Sequence, residues 1–87
     1  GEGIRKLRAR MSYKETRELE QLPLQIEALE AEQRALAEAM SGSEYHKRGG
    51  EQMRKDAARA TEIEQALEVA FERWAELDAK KNASGRG

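Results

Sequence analysis

The side chains of this sequence that could do chemistry are mainly lysines and arginines, because the residue types that usually carry catalysis are scarce. The chain has no cysteine and a single histidine, so His46 has no second histidine with which to form a metal site. No glycine-rich phosphate loop of the form GxxxxGK followed by Ser or Thr is present. We therefore predict a protein that is not an enzyme and that needs neither a cofactor nor a metal ion.

Positive charge is concentrated in three blocks of the sequence. Residues 1–17, 45–60 and 80–87 carry net charges of +4, +3 and +3, whereas residues 18–44 carry −6 and residues 61–79 carry −5. Clustered Lys and Arg attract phosphate and follow a nucleic-acid backbone without reading its sequence. The alternative is that the ends of an elongated protein simply tolerate solvated charge. The candidate nucleic-acid contacts are Arg8, Arg10, Lys14, Arg17, Lys47, Arg48, Arg54, Lys55 and Arg59.

Two stripes of apolar residues must position these cations. Both repeat with alternating steps of three and four, the heptad spacing of a coiled coil. Helices with one apolar stripe are unstable alone in water, and a short connection lets two of them cover each other. We predict an all-α fold, an antiparallel two-helix coiled-coil hairpin whose terminal basic blocks meet at one end. The stripes are Leu19, Leu22, Ile26, Leu29, Gln33, Leu36 and Met40, then Met53, Asp56, Ala60, Ile63, Leu67, Ala70, Trp74 and Leu77.

The first helix is predicted to begin at a capping box and to be interrupted by a proline. Ser12 and Glu15 form an S-x-x-E pattern, in which each side chain bonds the other residue's amide. Pro23 lacks an amide hydrogen and disfavours helical backbone before it. We therefore expect a kink or short break at Pro23, between a short N-terminal helix over residues 12–22 and a longer helix over residues 23–41.

The connection and the second helix follow from the glycines. Gly42 is predicted to be the left-handed cap of the first helix, and a Gly-Gly pair closes the connection. The second helix is predicted over residues 51–81, with Trp74 supplying the largest single buried area and Asp56 out of place on the apolar stripe. The hairpin then spans residues 12–81. It is flanked by a flexible basic segment, residues 1–11, and a flexible tail, residues 82–87.

Composition sets the expected environment of the chain. No run approaches the roughly 20 apolar residues of a membrane span, and the absence of cysteine suits a reducing compartment. We expect a cytoplasmic protein that does not contact membranes and that is monomeric as an isolated domain.

A longer pattern of residues resembles a known family. Residues 7–32 contain L-x-x-x-x-S-Y-K-E-x-R-E-L-E-x-L-P followed by I-E-x-L-E-x-E, and residues 71–77 read F-E-R-W-A-E-L. These motifs are similar to those of the C-terminal domain of the Uup family, bacterial ATP-binding cassette proteins of the soluble F subfamily (ABC-F). The family often has an Asp-Pro turn at the tip, where this chain has S-G-S-E-Y at residues 41–45.

The resemblance implies a domain detached from an ATPase with two nucleotide-binding cassettes, none of whose ATP site lies in this chain. It implies DNA as the partner, with the ribosome and its RNA as the competing one. Two functions therefore stand side by side. The first is a DNA-binding coiled coil that contacts phosphates without sequence readout. The second is a structural arm that docks on the ribosome, on the ATP-binding cassettes of its parent or on another protein.

Overall fold

The computed structural model describes residues 11–85 as an antiparallel hairpin of two long helices. Helix α1 spans Tyr13–Met40 and helix α2 spans Gly50–Gly85. The connection between them contains a 3-10 helix, Tyr45–Arg48. The molecule is a rod of 64 × 17 × 15 Å. The predicted all-α hairpin is confirmed, and no helix within residues 11–85 is long and apolar enough to cross a membrane.

The predicted heptad stripes form the seam between the two helices. Ile63 and Leu77 are almost fully enclosed, with exposed fractions of 0% and 1%. Glu18 pairs with Arg73 and Glu32 pairs with Arg59 across the seam, which fixes the register of the two helices. The buried seam consists of Leu22, Ile26, Ile63, Leu67, Ala70 and Leu77, with Met11, Leu19, Leu29 and Leu36 packed against it.

The predicted separate helix over residues 12–22 is wrong, because α1 runs through Pro23 without interruption. A proline inside a helix removes one backbone donor and crowds the carbonyl four residues earlier. Here the proline ring is on the exposed side of α1, while Leu22 and Ile26 on either side of it are buried against α2. Packing of both halves on the same partner helix therefore outweighs the lost hydrogen bond.

The start of α1 is as predicted, but its end is not. The Ser12 hydroxyl accepts the Glu15 amide at 3.1 Å, and the Ser12 amide donates to the Glu15 carboxylate at 2.9 Å. At the other end the cap is Ser41 in right-handed helical backbone, so the left-handed cap expected at Gly42 is wrong. The positive φ of the connection, 91°, lies at Gly49. The chain continues from α1 through turns into the 3-10 helix, and α2 begins at Gly50, directly after Gly49.

The base of the hairpin differs from the expectation in three ways. Trp74, expected to supply the largest buried area, is 38% exposed. Two helices enclose only the narrow stripe between them, so a wide indole extends over the side of the seam. Met11, expected in the flexible segment, packs against the core. Helix α2 continues to Gly85, beyond the expected end at residue 81.

The two connection glycines give a matched test of this backbone. Gly49 has φ 91° and ψ 158°, a region that residues with a Cβ rarely adopt. We expect Gly49→Ala to lower the free energy of unfolding by about 1–3 kcal/mol through backbone strain, although an added Cβ would meet nothing within 4 Å. Gly42→Ala is the control, since its Cβ would be 3.5 Å from the Ala39 carbonyl oxygen, an ordinary contact. Urea unfolding followed by circular dichroism measures the free energy of unfolding of both variants. Equal losses of stability in the two variants would contradict the strained positive φ at Gly49.

Candidate nucleic-acid interface

The tip of the hairpin is held together by a buried tyrosine. Tyr45 begins the 3-10 helix, is 8% exposed, and donates its hydroxyl to Oδ2 of Asp56 at 2.7 Å. Gln52 donates to the other oxygen of the same carboxylate at 2.9 Å. The aspartate that looked misplaced on the apolar stripe is therefore the acceptor that ties the 3-10 helix to α2.

The ionisation of this pair follows from its contacts. Hydrogen bonds from Tyr45 and Gln52 lower the pKa of Asp56 below its ordinary value, and nearby Arg48 acts in the same direction. Burial raises the pKa of Tyr45, and the bond to the aspartate adds to that effect. At neutral pH the pair is a neutral phenol donating to a carboxylate, and the tip is fixed in that form.

Four of the predicted contact residues lie together at this tip. Lys47 and Arg48 are on the 3-10 helix, which packs against α2, and Arg54 and Lys55 are in the first two turns of α2. Lys47 pairs with Glu44, and Lys55 lies 3.7 Å from Glu51. The side chains of both pairs are at least 66% exposed. Within residues 11–85, Arg48 and Arg54 form no ion pair.

Arg59, the fifth predicted residue of this group, is engaged elsewhere. Its guanidinium donates to both carboxylate oxygens of Glu32 on α1, at 2.6 and 2.7 Å, and also contacts Glu62 at 3.4 Å. The guanidinium lowers the pKa of Glu32, and the carboxylate raises that of the arginine in turn. A bidentate pair of this kind is directional and relatively strong. Arg59 therefore joins the two helices, while the four cations of the tip face solvent.

The base of the hairpin presents fewer of the predicted residues. Lys14 is exposed in the first turn of α1, and Arg17 lies over the ring of Tyr13, its guanidinium carbon 5.9 Å from the centroid. Arg8 and Arg10 lie outside the described residues. Lys80 donates to both oxygens of Glu15 at 2.9 and 3.0 Å, which confirms that the start of α1 and the end of α2 meet at this end.

The sequence of the hairpin matches a known protein family. The family model described as the ABC transporter C-terminal domain matches residues 10–79. The chain belongs to this family. The matched residues include the capping box, both heptad stripes and the tip, so the likeness covers every element of the hairpin.

Relatives of this ABC C-terminal domain are bacterial ATP-binding proteins. The chain is 42% identical over 81 residues to ATP-binding protein Uup of Escherichia coli (strain K12), covering 93% of the chain and 13% of that protein. It is 37% identical over 73 residues to the Uup-like ATP-binding protein of Haemophilus influenzae, covering 84% of the chain and 16% of that protein. The chain thus spans less than a fifth of the length of either relative.

A solved structure matches the fold directly. The C-terminal domain of the Uup protein, described as a DNA-binding coiled coil motif, is 46% identical and superposes with a TM-score of 0.76. The match covers 83% of this chain and 85% of that one. Since nearly all of the matched structure is covered, the likeness is between whole domains.

The ion pairs that join the helices of this ABC C-terminal domain were not predicted from the sequence. Glu18 accepts two bonds from Arg73 at 2.7 and 2.8 Å, and Glu15 and Glu32 also have cationic partners on the opposite helix. The positions that flank a coiled-coil seam commonly carry such pairs. Opposite charges at facing positions would have revealed them once the register was set.

These pairs predict how stability depends on pH. The bonds from Arg73 and Arg59 lower the pKa values of Glu18 and Glu32 below the ordinary 4.5 in the folded protein. Their stabilisation is therefore fully present above pH 4.5 and is lost as the pH falls through the lowered pKa values. We expect the double variant Glu18→Gln/Glu32→Gln to melt at a lower temperature than the parent at pH 7. The two melting temperatures should converge in acid.

The control for this experiment is Glu27→Gln/Glu68→Gln, which removes the same charge from exposed positions that form no ion pair within residues 11–85. Its melting temperature at pH 7 should stay close to that of the parent. Circular dichroism melts at pH 3, 5 and 7 measure all three proteins. If both double variants lose the same stability at pH 7, the cross-helix pairs have no special role.

Proposed function

We propose that this chain is a non-catalytic, DNA-binding C-terminal domain of a larger ATP-binding protein, and that it contacts phosphates without reading sequence. The observation that carries the proposal is the likeness to a whole domain described as a DNA-binding coiled coil motif. The two chains are 46% identical and share the coiled-coil fold. The hairpin has the cationic ends that such a role requires.

The tip is the stronger of the two candidate contact surfaces. Its four cations are Lys47, Arg48, Arg54 and Lys55, and two of them have only exposed carboxylate partners. Exposed ion pairs contribute little free energy, so phosphate oxygens can replace Glu44 and Glu51 at small cost. Binding would then be driven by release of the counterions condensed on the nucleic acid.

The stem confines contact to the ends of the rod. Its two acidic blocks carry net charges of −6 and −5 and repel a phosphate backbone. Arg59 would have to give up two short bonds to Glu32 to reach phosphate, so we assign it a supporting role at most. Lys14 and Arg17, together with Arg8 and Arg10, form the second proposed contact at the base.

The larger protein supplies the rest of the activity. We propose that ATP-binding cassettes in its other part hydrolyse ATP in the cytoplasm, while this domain acts as a monomeric hairpin that holds nucleic acid. The curated relatives are named ATP-binding proteins and are much longer than this chain. Ribosomal RNA offers the same phosphates as DNA, so the test of the proposal includes both.

The salt dependence of DNA binding tests the tip directly. Each phosphate neutralised on duplex DNA contributes about −0.9 to the slope of log K against log salt. Replacing Arg48, Arg54 and Lys55 by Gln should reduce the magnitude of that slope by roughly two to three. Glutamine is a good helix former, so the fold should persist. Fluorescence anisotropy with a labelled DNA duplex at several salt concentrations measures the slope, and a duplex of ribosomal RNA sequence provides the second arm.

A matched pair of single variants locates the effect. Arg54→Gln at the tip and Arg34→Gln on the acidic stem remove the same charge, and both side chains are exposed. Only Arg54→Gln should reduce the slope, by about one. The tip is not the contact surface if the triple variant binds with the slope of the parent. Absence of any salt-dependent binding by the parent would favour a structural arm, and tighter binding to RNA would change the assigned partner.

A further inference from the structure

The base of the hairpin carries an exposed aromatic ring that the packing of the two helices does not use. Tyr13 is 77% exposed, whereas Tyr45, the other tyrosine of the chain, is 8% exposed. Tyr13 is not among the residues that form the seam or pack against it. Single exposed apolar side chains are ordinary, so the significance of this ring depends on the groups that surround it.

The ring is held beside two cations on the first turns of α1. Tyr13 directly follows the cap Ser12, so the capping box fixes its backbone. Arg17, four residues later, is on the same helical face. Its Nη1 donates to the Tyr13 hydroxyl at 3.1 Å, and its guanidinium carbon is 5.9 Å from the ring centroid. Lys14 adjoins them, and neither cation forms an ion pair with any of residues 11–85.

These three side chains line an open hollow of about 450 Å³, whose other walls are Glu18 and Gln21. Glu18 accepts two bonds from Arg73 at 2.7 and 2.8 Å, so its charge is balanced within the protein. Gln21 offers a neutral amide, which can both donate and accept hydrogen bonds. The hollow therefore combines an aromatic ring, two cations and an amide, and its one carboxylate is already paired.

This combination matches the chemistry of an unpaired nucleotide. Proteins bind single strands by stacking bases on aromatic side chains while cations follow the phosphates, and arginine guanidinium groups stack on bases as well. Most of the Tyr13 side chain stays exposed with Arg17 over it, so a base has room to reach the ring. The bases inside a duplex are stacked on one another, and such a duplex offers this hollow only its phosphates.

We propose that Tyr13 is a stacking platform for an unpaired base, and that Lys14 and Arg17 hold the adjoining phosphates. The proposal rests on the nucleic-acid binding proposed above and extends it. It assigns the base of the rod to single-stranded segments, while the tip meets phosphates of either form. Stacking tolerates every base because each has a flat face, so this contact also reads no sequence.

Abasic strands test the stacking, because they keep the phosphates and lack the bases. Fluorescence anisotropy at one salt concentration compares labelled oligothymidylate with an abasic oligomer of the same length. The parent should bind the oligothymidylate about tenfold more tightly, as expected for one stacked base. Tyr13→Leu should bring this ratio close to one, because leucine is a good helix former without a ring. Tyr13→Phe keeps the ring and should retain the ratio.

The ring protons of Tyr13 give a local readout of the same contact. Their resonances should move upfield on addition of oligothymidylate and should stay in place on addition of the abasic oligomer. Oligouridylate should give the same shift and the same dependence on Tyr13, because stacking requires only the face of the base. The tighter-bound of the two strands then identifies DNA or RNA as the source of the base.

The control is Phe71→Leu, which removes a ring that is 47% exposed on the acidic stem. It should keep the ratio of the parent. A ratio of one in the parent, with no shift of the Tyr13 ring protons, would overturn the proposal, and so would an equal loss in Phe71→Leu.

A blunt DNA duplex, measured in parallel, separates this proposal from the phosphate contact at the tip. Salt-dependent duplex binding together with a ratio of one would leave the tip contact and remove the stacking site. A ratio that depends on Tyr13, without duplex binding, would leave the stacking site and remove the duplex contact. Absence of binding to the duplex and to both strands would overturn the two proposals together.

Discussion

The structure depends on the mutual coverage of two apolar stripes, each too narrow to stabilise a helix by itself. Ile63 and Leu77 are enclosed only because α1 lies against them, and isolated helices of this type are marginal in water. The same constraint sets the register, since a slip along the seam would remove leucine and isoleucine side chains from their places. The positions of the tip and the base, and hence of the cations they carry, follow from that register.

Several charged side chains of the stem stabilise the pairing of the two helices and are not available to bind a partner. The stem glutamates include Glu18 and Glu32, which bind arginines of the opposite helix and reinforce the register. Arg59 and Arg73 are thereby neutralised, and the remaining negative charge of the stem faces solvent. Cations with exposed or absent partners remain at the tip, where the 3-10 helix is anchored by the bond between Tyr45 and Asp56. A rod with an acidic stem and cationic tip can hold a polyanion only at its ends.

The periodic features of the fold could be predicted from the sequence, because they recur over many residues. The heptad stripes gave both helices and their antiparallel pairing, and the S-x-x-E pattern located Ser12 as the first cap. The interruption expected at Pro23 failed because local backbone preference was weighed without the packing of Leu22 and Ile26 on the partner helix. The cap expected at Gly42 failed because the path of the connection decides which glycine adopts positive φ, and that residue is Gly49.

The clustering of cations at the tip could be predicted from the sequence, but their contacts could not. The blocks of charge located the tip, yet Arg59 was grouped with it because sequence distance does not show that Glu32 faces it across the seam. Asp56 was out of place on the predicted apolar stripe because its partner, Tyr45, lies in the connection, whose path the heptad pattern does not describe. The bond between them joins the connection to α2. Both are contacts between different elements, and neither has a periodic signature in the sequence.

A titration of the isotopically labelled domain with duplex DNA, followed by amide chemical shifts, distinguishes contact at the ends of the rod from contact along the stem. We expect shifts concentrated in residues 44–56, with a smaller group near residues 12–17, and amides of the stem that barely move. Shifts spread evenly along α1 and α2, or confined to the middle of the stem, would contradict the claim that this hairpin meets nucleic acid with its cationic ends.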